Sequence, residues 1–265
     1  MSLPRSVAHN DKTDAPHMSA MNDQTRINFY ASSPEPCGYL AGRQSISAFA
    51  NPYVDMDADT YNELIQFGFR RSGGYLYRPH CPDCTACVSL RVRVDDFRLS
   101  RNDRRNLKRN ADIGLQTAPA KFFEEHYDLY RRYIDARHAD GSMANPSRSD
   151  YHRFLICDWA ETRFLELRQG RRLLGVAVTD VTETGLSAVY TFFDPMEQAR
   201  SLGHYAILRQ IEMARDQGYT YLYLGYWIDE CDKMRYKARY RPAEIFVNDQ
   251  WVELEPSARA VSATA

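Results

Sequence analysis

Tyr221-Leu-Tyr-Leu-Gly-Tyr-Trp-Ile-Asp-Glu-Cys-Asp-Lys-Met-Arg-Tyr-Lys-Ala-Arg-Tyr-Arg-Pro242 starts as an apolar and aromatic strand and breaks at Gly225. It then delivers Lys233, Arg235, Lys237, Arg239 and Arg241 at alternate positions, with Tyr236 and Tyr240 between them. A buried strand that runs into cations and tyrosines suits an anionic, ring-bearing ligand such as a nucleic acid. The same pattern also fits an edge strand with a solvated charged face, and composition alone does not separate the two.

The elements around this stretch set its context. Upstream, Thr162–Arg168, Leu173–Val181 and Leu186–Phe193 read as an antiparallel meander with turns at Gly170 and Thr184-Gly185. Leu202–Gln217 has helical spacing, with Ile207, Ile211 and Ala214 on one face and Gly218 as a stop. The Tyr219–Tyr226 strand then runs parallel to its predecessor, and Glu244–Asn248 with Gln250–Leu254 closes a hairpin. Three antiparallel strands, a helix and a parallel strand follow the order of an acetyltransferase-like (GNAT) core, in which two neighbouring strands splay into a cleft. The expected fold class is therefore α+β: a GNAT-like C-terminal domain over 145–255 and a smaller N-terminal α+β domain over 26–140. Residues 1–25 are polar and aperiodic, which predicts a disordered tail; His138–Pro146 reads as the linker between the halves, and the tail from Pro256 is small and polar.

In the first half, Asp57–Gly68 predicts a helix capped by Asp57 or Asp59, with Tyr61, Leu64, Ile65 and Phe67 on its apolar face. Gly73-Gly74 predicts a hairpin between Phe69–Ser72 and Tyr75–Arg78. Val88–Val94 alternates as a strand with Arg91 and Arg93 on one face, and helices are expected over Leu99–Asn110, Ala120–Arg137 and Ser149–Cys157. From Arg91 to Arg109, eight cations face three aspartates, net +5 in a chain of net charge −1. A chain near neutrality needs such a local patch if it is to bind nucleic acid, although a solvated helix face would look the same.

Other chemistry is sparse. Cys81-Pro-Asp-Cys84-Thr-Ala-Cys87 has two interlocked C-x-x-C spacings that suit zinc or an iron–sulfur cluster, with Cys37 or His80 as a fourth ligand. A compact turn of reduced thiols fits equally. Arg200-Ser-Leu-Gly203-His-Tyr205 keeps two elements of the acetyltransferase loop that cradles a coenzyme A pyrophosphate, but Tyr205 replaces its last small residue. A ring there is expected to crowd a pyrophosphate. No nucleophile elbow, Ser-His-Asp order or Walker-type loop is present, no run of about 20 apolar residues could span a membrane, and the first residues have no signal-peptide core. The expectation is a cytoplasmic protein with reduced cysteines.

Cys37-Gly-Tyr, Phe69-Arg-Arg-Ser-Gly-Gly-Tyr-Leu-Tyr-Arg-Pro79, Val189-Tyr-Thr-Phe-Phe-Asp-Pro195, Ser201-Leu-Gly203, Tyr223-Leu-Gly-Tyr-Trp-Ile and Lys233–Pro242 together resemble the aminoacyl-tRNA–protein transferase family. The resemblance covers most of residues 30–250 and is nearest the bacterial aspartate/glutamate leucyltransferases. It implies leucyl-tRNA as donor, proteins with an N-terminal Asp or Glu as acceptors, no cofactor required for transfer, and a product that enters the N-degron route to proteolysis. Arginyl transfer, a coenzyme A-dependent N-acyltransferase and a non-catalytic RNA-binding module are the alternatives. The eukaryotic arginyltransferases carry Cys-Gly-Tyr-Cys where this chain has Cys37-Gly-Tyr-Leu40, so a cluster on Cys37, Cys81, Cys84 and Cys87 does not carry over directly.

Peptide-bond formation from an aminoacyl ester needs orientation and oxyanion stabilisation more than a strong base, because about 10–20% of an ordinary α-amine is already neutral at pH 7. The expected cleft lies between the strands ending at Asp194 and Tyr226. In it Asp194 would take the amine proton, and Tyr226 or Tyr236 would face the oxyanion or the terminal adenine. Lys233, Arg235, Lys237, Arg239 and Arg241 would hold acceptor-stem phosphates, and Arg71 or Arg78 the acidic acceptor.

Overall fold

The computed structural model describes residues 27–51, 55–137 and 143–255. Both expected tails and residues 138–142 of the expected linker lie outside the described residues.

The first elements are β1 (Phe29–Ala31), a ribbon of β2 (Glu35–Pro36) and β3 (Gln44–Ser45), and β4 (Ser47–Ala50). Helix α1 (Ala58–Gln66) follows; the Asp57 carboxylate accepts from Thr60 N at 2.8 Å, which satisfies one of the free amides of the first turn. Strands β5 (Arg70–Ser72) and β6 (Tyr75–Pro79) form the hairpin expected at Gly73-Gly74, and they join β4 and β1 in a four-stranded sheet of order β1-β4-β6-β5. Gly73 has φ +57, and a side chain there would overlap the carbonyl of Arg153.

Next come β7 (Val88–Arg93), α2 (Arg101–Arg109), β8 (Gly114–Pro119), α3 (Glu124–Arg137) and α4 (Arg148–Leu155). Helices α2 and α4 each start with a reciprocal capping box, Ser100 with Asp103 and Ser147 with Asp150. The meander is β9 (Thr162–Gln169), β10 (Arg172–Val181) and β11 (Gly185–Phe193). Helix α5 (Leu202–Asp216), β12 (Tyr221–Trp227), α6 (Asp232–Arg235), β13 (Ala243–Val247) and β14 (Gln250–Glu253) complete the chain.

The result is an α+β structure around a mixed eight-stranded sheet of order β14-β13-β7-β12-β11-β10-β9-β8. Only β11 and β12 pair in parallel; the other neighbours are antiparallel. Strands β7 and β8, both from the first half of the sequence, belong to this sheet. Strand β8 is an edge strand that periodicity did not reveal, since Gly114-Leu-Gln-Thr-Ala-Pro119 has little apolar content.

Alternation along the central strands fixes the layers. Phe164, Val176, Val178 and Phe192 face α3 and α4, where they meet Tyr127, Tyr130, Tyr151 and Leu155. Leu165, Leu167, Leu174 and Ala177 face the other way, against Leu202, Tyr205 and Ala206 of α5. Much of the tyrosine content is spent in the first of these layers, where Tyr130 packs edge-on against Tyr151 and Phe192, both at 5.4 Å between centroids. Helix α1 packs its Tyr61, Leu64 and Ile65 against Leu76 of the small sheet and Tyr223 of β12.

One buried ion pair ties the small sheet to the large one. The Arg71 guanidinium meets the Asp180 carboxylate at 2.7 Å through both Nε and a terminal nitrogen, with both side chains 0% exposed. Thr162 (2.7 Å) and Tyr61 (3.1 Å) also donate to Asp180. Removing one partner of such a pair strands a buried charge, which costs about 3–5 kcal/mol. Asp180→Ala should therefore lower the unfolding free energy by about that amount in urea titrations followed by tryptophan fluorescence. A loss below about 1 kcal/mol, the value of an exposed pair, would show that Arg71 finds another partner.

Candidate active site

The site is built by the departure of two strands. β11 and β12 pair only through Gly185–Ser187 against Tyr221–Tyr223. Gly185 is required at the start, because a Cβ there would overlap the Tyr221 carbonyl. Past these residues β11 runs on with β10 while β12 stays with β7, and a cavity of about 630 Å³ opens between them. The expected position of the cleft, between the strand ends near Asp194 and Tyr226, is where it opens.

Arg70 occupies the fork. Adjacent residues of a strand point to opposite sides, so Arg71 goes to Asp180 and Arg70 to the gap. Arg70 donates to the carbonyl of Ala188 on β11 at 2.7 Å and to that of Tyr223 on β12 at 3.3 Å. These are backbone acceptors that the splay deprives of ladder partners. Gly225 allows this, with φ +75 and an ideal Cβ position 3.2 Å from the guanidinium carbon.

Lys237 also lines the cleft. It is 8% exposed, and its Nζ donates to the carbonyl of Tyr226 at 2.6 Å. Burial, and then the neighbouring charge of Arg70, lower its pKa to about 7. Arg70 is 7% exposed, and every partner it has among the described residues is a backbone carbonyl. Among the described residues that line the cavity there is no Asp or Glu. The cleft is an aromatic-walled cavity with buried positive charge that no lining carboxylate among the described residues neutralises.

The other candidates take varied positions. Tyr226 and Tyr236 both line the cleft. The Tyr226 hydroxyl donates to the carbonyl of Tyr77 at 2.9 Å, and burial followed by Tyr77 raises its pKa well above the usual value; Tyr236 is 41% exposed. Asp194 ends β11 but is absent from the cavity lining. Its carboxylate accepts from Met196 N at 3.0 Å and from Arg172 at 2.8 Å, with Arg132 at 3.6 Å. Burial pushes its pKa up, and these donors outweigh that to hold it below the usual carboxylate range.

Arg71 touches the cleft wall with its guanidinium taken by Asp180, Thr162 and the Gly73 carbonyl. Arg78 lies elsewhere, beside the cysteine turn, where it donates to the Phe67 carbonyl at 3.2 Å and stacks over Phe69.

The cations after Gly225 do not form a strand face. Residues 232–235 are helix α6 and 236–239 a 3-10 turn, so alternate residues diverge. Lys233 lines the cleft, while Arg235 pairs with Asp232 at 3.1 Å and bonds the Asp229 carbonyl. Arg239 reaches His204 and the Tyr240 hydroxyl, both at 2.9 Å, and Arg241 bonds the Leu254 carbonyl.

A second cavity, about 290 Å³, abuts the cleft and shares Phe193, Gly203 and His204 with it. Arg105, Arg109 and Arg239 line it at the start of α5. Helix α2 thus presents its basic face beside the cleft, whereas Arg91 and Arg93 are taken up by Glu244 and Glu253 at the far edge of the sheet. One polar residue here escaped the sequence reading: His204 stands between Asp103 (2.9 Å) and Tyr240 (2.6 Å). Tyr205, expected to crowd this loop, instead turns into the core and donates to the Ile113 carbonyl at 3.2 Å, because its helical position faces the sheet.

The structure brings the expected ligands Cys37, Cys81, Cys84 and Cys87 to the lining of one cavity. Among the described residues no group of three or more His, Cys, Asp or Glu is placed to hold a metal ion. Cys37 accepts from Leu40 N at 3.4 Å, Cys81 from Ile46 N at 3.4 Å, and Cys84 from Arg43 at 3.0 Å. Burial and the neighbouring thiols push Cys87 up to about 12. Ligation needs thiolates, and a bound cation would itself favour them. Cys231, in an unrelated sequence context, packs in the same apolar cluster through Ile228.

A cation-lined cleft beside a basic helix suits an anionic ligand, and comparison with known proteins gives the class of the chain. The family model described as "Arginine-tRNA-protein transferase, N terminus" matches residues 35–105 and its C-terminal counterpart residues 125–247. The chain belongs to this aminoacyl-tRNA–protein transferase family.

Curated relatives carry a more particular name. The aspartate/glutamate leucyltransferase of Pseudomonas aeruginosa (strain LESB58) is 52% identical over 234 residues, covering 88% of this chain and 100% of the relative. That of Saccharophagus degradans is 47% identical over 233 residues, covering 88% and 99%. A solved structure, the C-terminal domain (DUF2156) of a putative lysylphosphatidylglycerol synthetase from Agrobacterium fabrum, aligns with a TM-score of 0.43 at 12% identity over 76% of this chain and 70% of that one. That likeness is too slight to bear on fold or activity. Among the described residues no helix is long and apolar enough to cross a membrane.

Gly225→Ala tests how the cleft is built. A left-handed backbone costs an ordinary residue about 1–2 kcal/mol, and the new methyl meets Arg70. The variant should lose about 1–2 kcal/mol of unfolding free energy in urea titrations and transfer aminoacyl groups more slowly than the parent. Parental stability and parental activity together would show that neither Gly225 nor the seat of Arg70 matters.

Proposed function

We propose that this protein transfers leucine from leucyl-tRNA to the N-terminal Asp or Glu of acceptor proteins, and that the reaction occurs in the cleft between β11 and β12. The observation that carries this reading is the cleft's buried, uncompensated positive charge. A guanidinium held by two carbonyls and facing no carboxylate among the described residues is a costly arrangement, and an acidic acceptor residue relieves it. Arg70 is the acceptor's counter-ion in this reading, with the tyrosine walls around it.

The donor lies on the other side. The exposed cations of α2, with Lys233 and Arg239, track the phosphates of the tRNA 3′ end through the second cavity, and the shared wall at Gly203 and His204 brings the aminoacyl ester into the cleft. The strand splay supports a GNAT-like body over 145–255 for this half of the reaction, with residues 26–140 supplying Arg70 and the acceptor wall. The α-amine attacks the ester carbonyl, an amide forms, and tRNA leaves. The new N-terminal leucine then marks the acceptor for proteolysis in the cytoplasm. The names of relatives 47–52% identical to the chain favour leucine over arginine.

Purified protein incubated with radiolabelled leucyl-tRNA or arginyl-tRNA and peptides beginning with Asp, Glu or Ala gives the test. Label should pass from leucyl-tRNA to the Asp and Glu peptides alone. Transfer of arginine instead would overturn the donor assignment, and tRNA binding without transfer to any peptide would overturn the reading as a whole.

A further inference from the structure

The leucyl-transfer reading leaves one buried group without a task. Lys237 stands on the cleft wall with its ammonium or amine nitrogen 2.6 Å from a single backbone carbonyl, that of Tyr226. No carboxylate of the described residues lines the cavity beside it. A lysine that served only to hold phosphate would gain from exposure and full charge. This one is withdrawn from solvent.

We propose that the ε-amine of Lys237 receives the proton of the attacking α-amine and hands it to the departing ribose oxygen; this rests on the transfer reading above. The bond that forms joins the acceptor nitrogen to the leucyl carbonyl carbon. The bond that breaks joins that carbon to the ribose oxygen of the terminal adenosine. One proton moves from nitrogen to oxygen through Lys237, which ends as it began, and no further reactant is needed.

The surroundings of Lys237 suit a shuttle. From β5 the Arg70 charge faces it, and from β12 the Tyr226 carbonyl accepts its one hydrogen bond. The thiols of Cys87 and Cys231 act weakly in the opposite sense to Arg70. With its pKa near 7, Lys237 is charged at lower pH and able to accept a proton at higher pH, which is where a general base works best at neutrality. The Tyr226 carbonyl also aims the nitrogen, so the lone pair and the bonded proton have defined directions. Asp194, the acid nearest the end of β11, is saturated by the Met196 amide and two arginines and lies outside the cavity lining.

Lys237→Arg keeps the positive charge and can still bond the Tyr226 carbonyl, but it cannot give up a proton in this pH range. Its kcat should fall by about 10²–10⁴-fold, the usual value of general acid–base catalysis, while leucyl-tRNA affinity in filter binding is unchanged. The ratio of parental to variant kcat/KM cancels the titration of the acceptor's own amine and should rise with pH through about 7, the value of the free enzyme. Lys237→Ala should be rescued by added primary amines, more strongly as their basicity approaches that of the lost group. A thermal midpoint and circular dichroism spectrum for each variant check folding.

A Lys237→Arg protein with kcat within about threefold of the parent would overturn the proposal, as would a folded Lys237→Ala protein that no amine restores. If the parental enzyme transfers arginine, the same assays run with arginyl-tRNA and the donor assignment alone fails. If the parent transfers neither residue, the functional reading fails, and the role of Lys237 fails with it.

Discussion

A single guanidinium holds open the gap on which the site depends. When two parallel strands separate, the carbonyls along their facing edges lose their ladder partners, and each buried acceptor left alone costs about 1–3 kcal/mol. Arg70 answers one carbonyl on each strand, Ala188 and Tyr223, from a position that only a glycine at 225 leaves free. Arg71, its neighbour on β5, pulls in the other direction and is fixed by Asp180. Two consecutive arginines thus do separate work: one fastens the small sheet to the large, and the other keeps the large sheet forked. The cavity is a consequence of strand pairing rather than of a loop that closes over it.

The electrostatic character of the cleft follows from the same arrangement. Because Arg70 is bonded to carbonyls, its charge is oriented but not cancelled. Burial near that charge is what depresses Lys237, and no carboxylate among the described residues lines the cavity beside either group. Elsewhere the chain pairs its charges routinely: Arg91 with Glu244, Arg168 with Glu125 and Glu166, Arg200 with Asp112. In the cleft, by contrast, Arg70 and Lys237 each bond only backbone carbonyls among the described residues.

The sequence carried the elements more clearly than the site. The capping at Asp57, the Gly73-Gly74 hairpin, the meander and the α5–β12 crossover all follow from local rules, because caps, turns and apolar period are written within a few residues. The splay was also anticipated, from the order of elements. What local pattern could not show was the fate of individual cations. Period two suggested one face for Lys233 to Arg241, but Cys231 and the residues after it wind into helical turns, so Lys237 is buried and Arg241 is turned to the Leu254 carbonyl. Arg70 and Arg71 are indistinguishable in sequence; only the positions of Asp180 and of the fork, both more than 100 residues away, assign them. Cysteine spacing likewise could not name the partners the thiols take: Cys84 accepts from Arg43, Cys81 from the Ile46 amide and Cys37 from the Leu40 amide.

The proximity of Arg70 to Lys237 has a consequence for how the enzyme would choose among acceptors. An acidic side chain that settles on Arg70 cancels the field that weakens the lysine as a base, and so raises its proton affinity at the moment a proton must be taken. An acceptor with a neutral first residue leaves that field intact. Selection would then be expressed in turnover as well as in occupancy: the wrong protein could enter the cleft, yet meet a less basic partner there. The charge that recognises the substrate and the group that completes the chemistry would in effect be one electrostatic unit.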